Sequence, residues 1–524
     1  MTQAKTSHYD VTTNDPAPKN ETSSDFNETV HDRIEMERFG NRRRLRRSLN
    51  AVTVGSFMVI AMTSWAYVLN GASLGLFAAG TGGTIFVYIG TSVCYASIIV
   101  SMAELASMIP LAGGPYHWVS VLAGKRWRRV LSYAAGWLLT LSWMCGVASG
   151  LFIVAQLIRI TAAIGDATAN PQAWQTYLIV IAVTLLCMLM NTAGVRFLPL
   201  LELAAGIVFT VGFIASIVVY AVMAPKNDAS AVFLTFTNGG EWSNFGFAML
   251  TAQTFALYCL FGSDGAAHMS EETRNASLNV PRGMLLSYIF SAVTGFAMLV
   301  LFCFCYTEDA VAATELYGYA FIGVNLVATG SIAGAKGMTS IVLVLTILSV
   351  NNFVAASSRQ LMAFARDGGV PFGKWVARIS PGAKYPRNAV LVVGAFSIIL
   401  SLITLGSAVA FQAVVSLTLI AFLGNYELST CVLIWRRLSG LPLPPARWSL
   451  GRFGLPINLF AAAYGLFALV FVAVPATPEY NPTTFNWAPV VFVGLVVLAV
   501  LYYAFDGRKS FDVPLLKSAQ EEDE

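Results

Sequence analysis

Charged residues are scarce in this chain. Lys, Arg, Asp and Glu make up 11% of its 524 residues, against about 25% in an ordinary soluble domain. Hydrophobic residues make up 56% and the mean hydropathy is +0.66. This balance excludes an ordinary soluble protein and indicates a polytopic membrane protein that has the lipid bilayer as a partner. The net charge is +4, and the basic residues fall in short clusters between apolar runs, so no nucleic-acid partner is expected.

Signatures of metal, cofactor and nucleotide chemistry are also missing. The seven cysteines all lie inside or at the edge of apolar segments, where a cysteine is usually a small buried hydrophobe. Their spacing fits neither a disulfide framework nor a metal site. The chain contains no G-x-x-x-x-G-K-[ST], H-E-x-x-H or G-x-G-x-x-G sequence, which argues against nucleotide-driven pumping and metalloprotease chemistry. We therefore expect no metal, no cofactor and no enzymatic activity.

Long apolar runs are what the sequence has in abundance. A membrane-spanning helix needs about 20 mostly apolar residues, and counting such runs gives about twelve, which predicts an all-α membrane protein. The runs lie near 51–79, 82–108, 131–161, 174–194, 200–223, 244–266, 284–306, 327–362, 388–406, 409–435, 455–475 and 485–505.

Clusters of Lys and Arg predict the orientation. With twelve spans, all of them fall on one side, beginning with "RRRLRR" at 42–47 and "KRWRR" at 125–129. Short loops rich in these residues stay in the cytoplasm, so both termini are predicted to be cytoplasmic, with the plasma membrane as the expected location. Residues 1–47 have almost no apolar pattern and are expected to form a disordered tail. The membrane domain is predicted at 48–508, with a short tail at 509–524.

Two of the apolar runs are interrupted. The sixth ends in "FGSDGAAHMSEETRNAS" (261–277), which breaks the helical pattern at 262–265, and the first has a weaker interruption at 62–64. An offset of five spans, an odd number, inverts the second unit relative to the first. Paired interruptions of this kind are the best sequence-level indication of a secondary transporter's binding site.

Broken helices expose backbone groups that bind charge. Free N–H groups begin the helix after a break and free C=O groups end the helix before it, so one break suits an anion and the other a cation. Asp264 adds a carboxylate inside the membrane, where ionisable residues are rare and functional. It is predicted to hold a substrate ammonium group or to accept a coupling proton.

Three other ionisable residues are candidates for coupling or gating. His268 lies at the predicted cytoplasmic end of the sixth span and fits a proton relay or a structural histidine equally well. Glu104 fits a gate or a structural anchor, and Glu202 lies near the membrane boundary, where structural pairing is favoured. Beyond them, Glu271 and Glu272 are expected in a cytoplasmic loop, as a solvated face or as gate partners of Arg274 and Arg282.

Several longer motifs resemble a known family. "SMAELASMIPLAGGPYHW" (101–118) resembles the signature between the second and third segments of the amino acid-polyamine-organocation superfamily. "GWLLTLSWMCGVASG" (136–150) and "GSDGAAHMSEETRNASLNVPRGM" (262–284) are similar to the third- and sixth-segment signatures of its fungal amino acid/choline transporter branch, as are "RQLMAFARDGGVPF" (359–372) and "YYAFDGRKSF" (502–511).

The resemblance implies a LeuT-like fold of five plus five inverted segments with two more at the end. The repeats would then lie at about 51–223 and 244–435, with extra helices at about 455–505. It also implies import of amino acids, GABA or choline driven by protons, and it places Trp143 against the substrate. The predicted substrate-binding residues are Ala61, Met62, Thr63, Ser64, Trp65, Trp143, Phe261, Gly262, Ser263, Asp264 and Gly265.

Two departures from the family pattern leave alternatives open. The first segment lacks the glycine-rich unwound motif of many amino acid permeases. The fifth, "LLELAAGIVFTVGF", lacks the membrane lysine that replaces a sodium ion in some relatives and offers only Glu202. The favoured hypothesis is a proton-coupled importer of amino acids or GABA that works by alternating access. The second is a choline or organic-cation transporter in which Trp65, Trp143 and Phe261 join Asp264 in a charged aromatic cage. The third is a nutrient sensor that binds substrate without accumulating it.

Overall fold

The computed structural model describes residues 32, 49–166, 172–379, 385–406, 410–479 and 485–512. Within these ranges the chain is almost entirely helical, and the one extended pairing is a bridge between Leu49 and Thr273. The helices used below are α1 (Ala51–Met62), α2 (Ser64–Met108), α3 (Pro115–Leu122), α4 (Arg128–Ala163), α5 (Ala173–Met190), α6 (Leu198–Val222), α7 (Phe245–Thr251), α8 (Gln253–Leu260), α9 (Gly265–His268), α10 (Ala276–Cys305), α11 (Glu308–Tyr317), α12 (Ala320–Thr329), α13 (Ile332–Arg366), α14 (Arg387–Ser401), α15 (Ala410–Leu438), α16 (Gly454–Ala473) and α17 (Ala488–Tyr502).

The prediction of an all-α membrane protein is confirmed. Among the described residues, ten helical stretches are long and apolar enough to cross a membrane. The difference from the predicted twelve arises because Ala51–Met108 counts once but contains two predicted spans, and because α14 has only 15 residues. The two joined spans turn at Gly80, where φ is +72° and an added Cβ would stand 2.8 Å from Thr235 O. Only glycine tolerates both that backbone conformation and that close approach.

The bundle has two chemically different ends. The arginine-rich end consists of loops 109–127, 269–275, 367–379 and 439–453, and the opposite end consists of loops 223–244, 306–319 and 474–479. Between the ends α2 packs along α10, and α4 packs against both α13 and α15. The division into two inverted repeats stays a prediction.

Parts of both terminal segments pack on the arginine-rich end. Within the predicted tail 1–47 the structure describes Asp32 alone, which is buried and accepts hydrogen bonds from the amides of Asn275 (3.1 Å) and Ala276 (3.4 Å). A carboxylate is stabilised there by the positive end of α10. At the other terminus, Phe511 is buried and its carbonyl accepts from Arg129 at 2.7 Å. The remainder of 1–47, and residues 513–524, lie outside the described residues.

Glu104 anchors the arginine-rich end. Its fully buried carboxylate accepts from Arg437 at 2.6 Å and from the Ser449 hydroxyl and the Leu450 amide at 3.0 Å. This carboxylate therefore ties the end of α2 to α15 and to the loop before α16. Of the two roles left open for Glu104, the geometry fits the structural anchor.

We expect Glu104→Ala to destabilise the protein by about 3 kcal/mol, because removing one partner of a buried ion pair leaves the other charge uncompensated. Glu104→Gln keeps an acceptor for Ser449 and Leu450 and should lose less. Thermal unfolding of the purified protein in detergent measures both effects, with Glu315→Ala, at an exposed glutamate, as the control. Equal melting temperatures for Glu104→Ala and wild type would contradict the anchoring role.

Candidate functional site

The first predicted interruption is a break in the helix. α1 ends at Met62, Thr63 adopts the left-handed conformation with φ 34° and ψ 44°, and α2 begins at Ser64. A residue with a Cβ pays roughly 1–2 kcal/mol for that conformation. The Thr63 hydroxyl is buried without a hydrogen-bond partner. Strain of this size at an unpaired polar residue is typical of functional sites.

The second interruption is longer. α8 ends at Leu260, and Phe261 is extended. Gly262 follows with φ +101°, a conformation that favours glycine. A short helix then resumes at Gly265, where an added Cβ would stand 2.9 Å from both Met58 Sδ and Trp143 Cη2. The two glycines thus have different roles: the first permits the backbone turn and the second permits close packing.

Hydrogen bonds join the two breaks to each other. The Ser64 hydroxyl, at the start of α2, donates at 2.7 Å to the Cys259 carbonyl in the last turn of α8. A carbonyl near a helix end lacks its usual partner and costs several kcal/mol if left unpaired in hydrocarbon. A side chain of one broken segment therefore satisfies the backbone of the other.

α13 supplies further partners to the first break. Ser349 donates to the Ala61 carbonyl and also contacts the Tyr67 hydroxyl at 3.2 Å. One turn further along, Asn352 donates to the Phe57 carbonyl at 3.2 Å and to Glu202 Oε2 at 3.3 Å. α13 thereby links α1 to α6.

Asp264 is fully buried beside the second break. Neither of its carboxylate oxygens has a hydrogen-bond partner. The phenol of Tyr426 and the indole of Trp143 face the carboxylate, but neither meets hydrogen-bond geometry. A buried carboxylate without partners is costly unless it is protonated or paired. Asp264 is therefore suited to take up a proton or a cationic group.

An aromatic cluster lies beside the second break and includes Trp143, whose indole faces this carboxylate. Trp143 meets Phe353 edge-on, with ring centroids 5.5 Å apart, and Phe422 at 5.3 Å. Phe261 contacts the same two rings at 5.6 Å and 5.2 Å. The structure thus places two of the predicted aromatic residues in one box, together with two that sequence reasoning missed.

Trp65 does not belong to that box. Its ring packs on Phe209 and Phe213 of α6, at 6.0 Å and 5.9 Å. The expectation that Trp65 joins Trp143 and Phe261 in one cage is corrected, because the left-handed turn at Thr63 directs the start of α2 toward α6.

His268 and Glu202 lie at opposite edges of the site. His268 is 1% exposed, hydrogen-bonds through Nδ1 to the Ala112 carbonyl at 2.8 Å, and meets the Trp143 ring edge-on at 5.5 Å. Glu202 is partly buried, and Asn352 is its hydrogen-bond partner. The interaction predicted for Glu202 is therefore a hydrogen bond to an amide.

The arginine-rich end is closed by two ion pairs. Glu272 pairs with Arg359 at 2.5 Å, and Glu271 pairs with Arg366 at 3.1 Å. Both glutamates are largely buried, so the expected solvated face and the expected partners Arg274 and Arg282 are wrong. Those two arginines are close in sequence, whereas α13 brings its own arginines to this point in space.

The second of these pairs is ionised at neutral pH. Burial by itself would raise the pKa of Glu271, but the charge and hydrogen bonds of Arg366 hold it below its usual range. The pKa of the neighbouring Asp367 is also below its usual range. Burial raises this pKa, but the hydrogen bond and charge of His117, followed by the charge of Arg366, lower it by more. The closed end therefore carries fixed charges.

A cavity reaches the broken helices from the opposite end. It has a volume of about 260 Å³ and extends from the loop residues Gly318 and Tyr319 to Cys259 beside the second break. The other lining residues are Tyr67, Asn70, Gly71, Ser73, Leu74, Ile153, Thr254, Phe255, Tyr258 and Val415. Two ion pairs thus lie at the arginine-rich end, and a cavity that reaches the second break lies at the opposite end.

Sequence reasoning missed the contribution of α13. Its stretch "SVNNFVAASSRQ" (349–360) is buried throughout although it contains seven polar residues, and that density inside an apolar run was a usable signal. In the described ranges, no three His, Cys, Asp or Glu side chains lie close enough together to hold a metal ion.

Comparison with known proteins gives a consistent result. An uncharacterised amino-acid permease of Schizosaccharomyces pombe is 28% identical over 446 residues, covering 83% of this chain and 80% of the relative. A putative amino acid/polyamine transporter of Macrophomina phaseolina is 29% identical, covering 82% and 95%. The amino-acid permease BAT1 of Arabidopsis thaliana is 27% identical, covering 79% and 83%.

Residues 48–497 match the family described as amino acid permease, which is most of the chain and contains both breaks. Together with the membrane-spanning helices and the paired breaks, this match establishes that the chain belongs to the amino acid permease family and is a transporter, not an enzyme.

Proposed function

We propose that the protein imports an amino acid or GABA by alternating access, coupled to protons. The observation that carries this proposal is Asp264, a fully buried carboxylate without hydrogen-bond partners at a helix break. Such a group is stable in the membrane when protonated or when paired with a substrate ammonium. Exchanging one partner for the other is the chemistry that coupling requires.

The first break supplies the complementary charge. The first amides of α2 lack acceptors within the helix, and they carry the positive end of the part of α2 that runs from Ser64 to the turn at Gly80. A substrate carboxylate is stabilised there, while its ammonium faces Asp264 across the breaks. The hydrogen bond from Ser64 to Cys259 keeps the two breaks adjacent. A small zwitterion matches this arrangement of charges.

The state described here is then outward-facing. Positive loop charge predicts a cytoplasmic arginine-rich end, and that end is closed, whereas the cavity beside Tyr67 and Cys259 opens the other way. Transport requires the two ion pairs to separate while the cavity collapses. The predicted plasma-membrane location fits this direction of import.

A second candidate is a choline or organic-cation transporter. The observation that favours it is the aromatic box of Trp143, Phe261, Phe353 and Phe422 next to Asp264. Aromatic faces and a carboxylate together stabilise a quaternary ammonium. Membership of the fungal amino acid/choline branch is part of this second proposal.

Uptake into proteoliposomes tests these alternatives directly. With an inward proton gradient, we expect accumulation of L-alanine, L-lysine, L-glutamate or GABA that collapses when a protonophore is added. Accumulation of choline alone would reject an amino acid as the substrate and favour an organic cation. Saturable binding without accumulation of any of the five compounds would indicate a sensor and reject transport.

Asp264→Asn tests the coupling residue. The amide cannot exchange a proton, so proton-driven accumulation should fall at least about tenfold, which corresponds to about 1.4 kcal/mol, while the protein still reaches the membrane. Asp309→Asn, at an exposed carboxylate of the opposite end, is the matched control. Normal gradient-driven uptake by Asp264→Asn would reject the assignment.

Gly262→Ala tests the break itself. An added Cβ meets Phe353 only at an ordinary 3.7 Å, so the effect isolates the left-handed backbone, which costs roughly 1–2 kcal/mol with a side chain. We expect slower uptake from a correctly inserted protein. In Gly337→Ala the added Cβ would meet no atom within 4 Å, and this helical position should tolerate the change. Equal uptake rates in the two variants would contradict a functional break.

A further inference from the structure

We propose that the coupling proton passes from Asp264 to the arginine-rich end through two buried histidines, His268 and His117, and leaves beside Asp367. This inference rests on the proposed proton-coupled transport and names the residues that would carry the proton after the substrate site.

Each histidine has one nitrogen with a defined partner. The Ala112 carbonyl can only accept, so in neutral His268 the Nδ1 atom carries the hydrogen and Nε2 carries the lone pair. The Asp367 carboxylate accepts from His117 Nε2 at 2.9 Å, so in the neutral form of this ring the lone pair is on Nδ1. Both remaining nitrogens are buried and have no hydrogen-bond partner. Two lone pairs able to take a proton thus lie unused inside the protein.

Contacts connect the substrate site to the first histidine. Asp264 and His268 are four residues apart across the single turn of α9, a spacing that places side chains on one face. Trp143 faces the Asp264 carboxylate and also meets the His268 ring at 5.5 Å. His268 is therefore the next proton-accepting group along this segment.

Two adjacent glycines connect the histidines. An added Cβ on Gly113 would stand 2.5 Å from His117 Nδ1, and one on Gly114 would stand 3.2 Å from His268 Cε1. Neighbouring Cα atoms are about 3.8 Å apart, so the two rings flank a single dipeptide. An added side chain would collide with the His117 ring at Gly113 and crowd the His268 ring at Gly114.

Exposure increases along the proposed route. Asp264 is 0% exposed, His268 is 1% and His117 is 2%, whereas the Asp367 side chain is 16% exposed. The Tyr116 hydroxyl donates to the same Asp367 oxygen at 2.9 Å and fixes its position. The titratable and charged groups around the two imidazoles are Asp264, Tyr116, Glu271, Arg366 and Asp367.

The proton balance is simple. The Asp264 carboxylate, His268 Nε2 and His117 Nδ1 are not hydrogen-bonded to one another in the present state, so the transfers take place when the helices rearrange during transport. Protonated Asp264 then gives its proton to His268 Nε2 and becomes a carboxylate, and the His268 imidazolium passes that Nε2 proton to His117 Nδ1 while its Nδ1 hydrogen stays with Ala112. His117 releases the proton on Nε2 toward Asp367, and return of the neutral ring to its Nε2–H tautomer restores the starting state. Since Asp367 stays ionised beside Arg366, the proton moves on to water and does not rest on the carboxylate.

Two substitutions keep the hydrogen bonds and remove the relay. His268→Asn retains an N–H near the position of Nδ1 for Ala112, and His117→Gln retains one near the position of Nε2 for Asp367. Neither amide can take up and release a proton at neutral pH. His31→Gln, in the N-terminal segment, is the histidine control.

The experiment compares two fluxes in proteoliposomes containing a trapped pH dye. The probe is whichever of L-alanine, L-lysine, L-glutamate, GABA or choline the wild type accumulates. We expect both variants to lose at least about tenfold in proton-driven accumulation and in dye-reported proton influx, in line with loss of a positioned proton carrier. Exchange of internal for external probe at equal pH requires no net proton transfer and should stay within about twofold of wild type.

Other outcomes separate the two proposals. A wild type that accumulates the probe without proton influx would overturn proton coupling and the relay together. A coupled wild type with full proton influx in either variant would overturn the relay alone. Equal loss of exchange and accumulation in the two variants would also overturn it, because that is the result of a merely structural role.

Discussion

The cost of an unpaired backbone group in hydrocarbon is the constraint on which this structure depends. Each such group costs several kcal/mol, so a helix can break inside the membrane only where other groups satisfy it. Here the Ser64 hydroxyl serves the Cys259 carbonyl, and Ser349 and Asn352 serve carbonyls of α1. The two breaks and α13 therefore form one hydrogen-bonded unit. None of the three can move far without leaving a partner unpaired or finding a new one.

The same constraint explains where polar groups remain unpaired. The carbonyls of Ala61 and Cys259 beside the breaks have side-chain partners, whereas the side chains of Thr63, Ser263 and Asp264 have none. This difference supports the proposal that these side chains bind a transported group. The aromatic rings around Asp264 exclude lipid and water from this place, and that low-dielectric surrounding strengthens any charge interaction formed there.

The sequence predicted the broken helices because the signal is local. Glycines, a serine and an aspartate within four residues cannot continue an apolar helix, and the segment 62–64 repeats the interruption more weakly. The partners were not predicted, since Ser349 and Asn352 are 288 and 295 residues away from the carbonyls that they serve. For the same reason Glu271 and Glu272 were assigned to nearby arginines when their partners come from α13. Periodicity specifies helices; it does not specify which faces meet.

Ion pairs at the arginine-rich end, in place of a packed apolar seal, are consistent with a gate that must open. The four side chains of these two pairs keep between 7% and 18% of their surface exposed, and the cost of removing buried charges from water offsets much of the attraction within such pairs. The two states of a switching protein commonly differ by a few kcal/mol, so two such pairs bias the equilibrium without fixing it. Glu104 and Arg437 make the opposite case: that carboxylate is fully buried with three partners, and its loss would leave all three without their acceptor. We infer that the loop before α16 stays attached to α2 while the contacts between α13 and the segment after α9 separate.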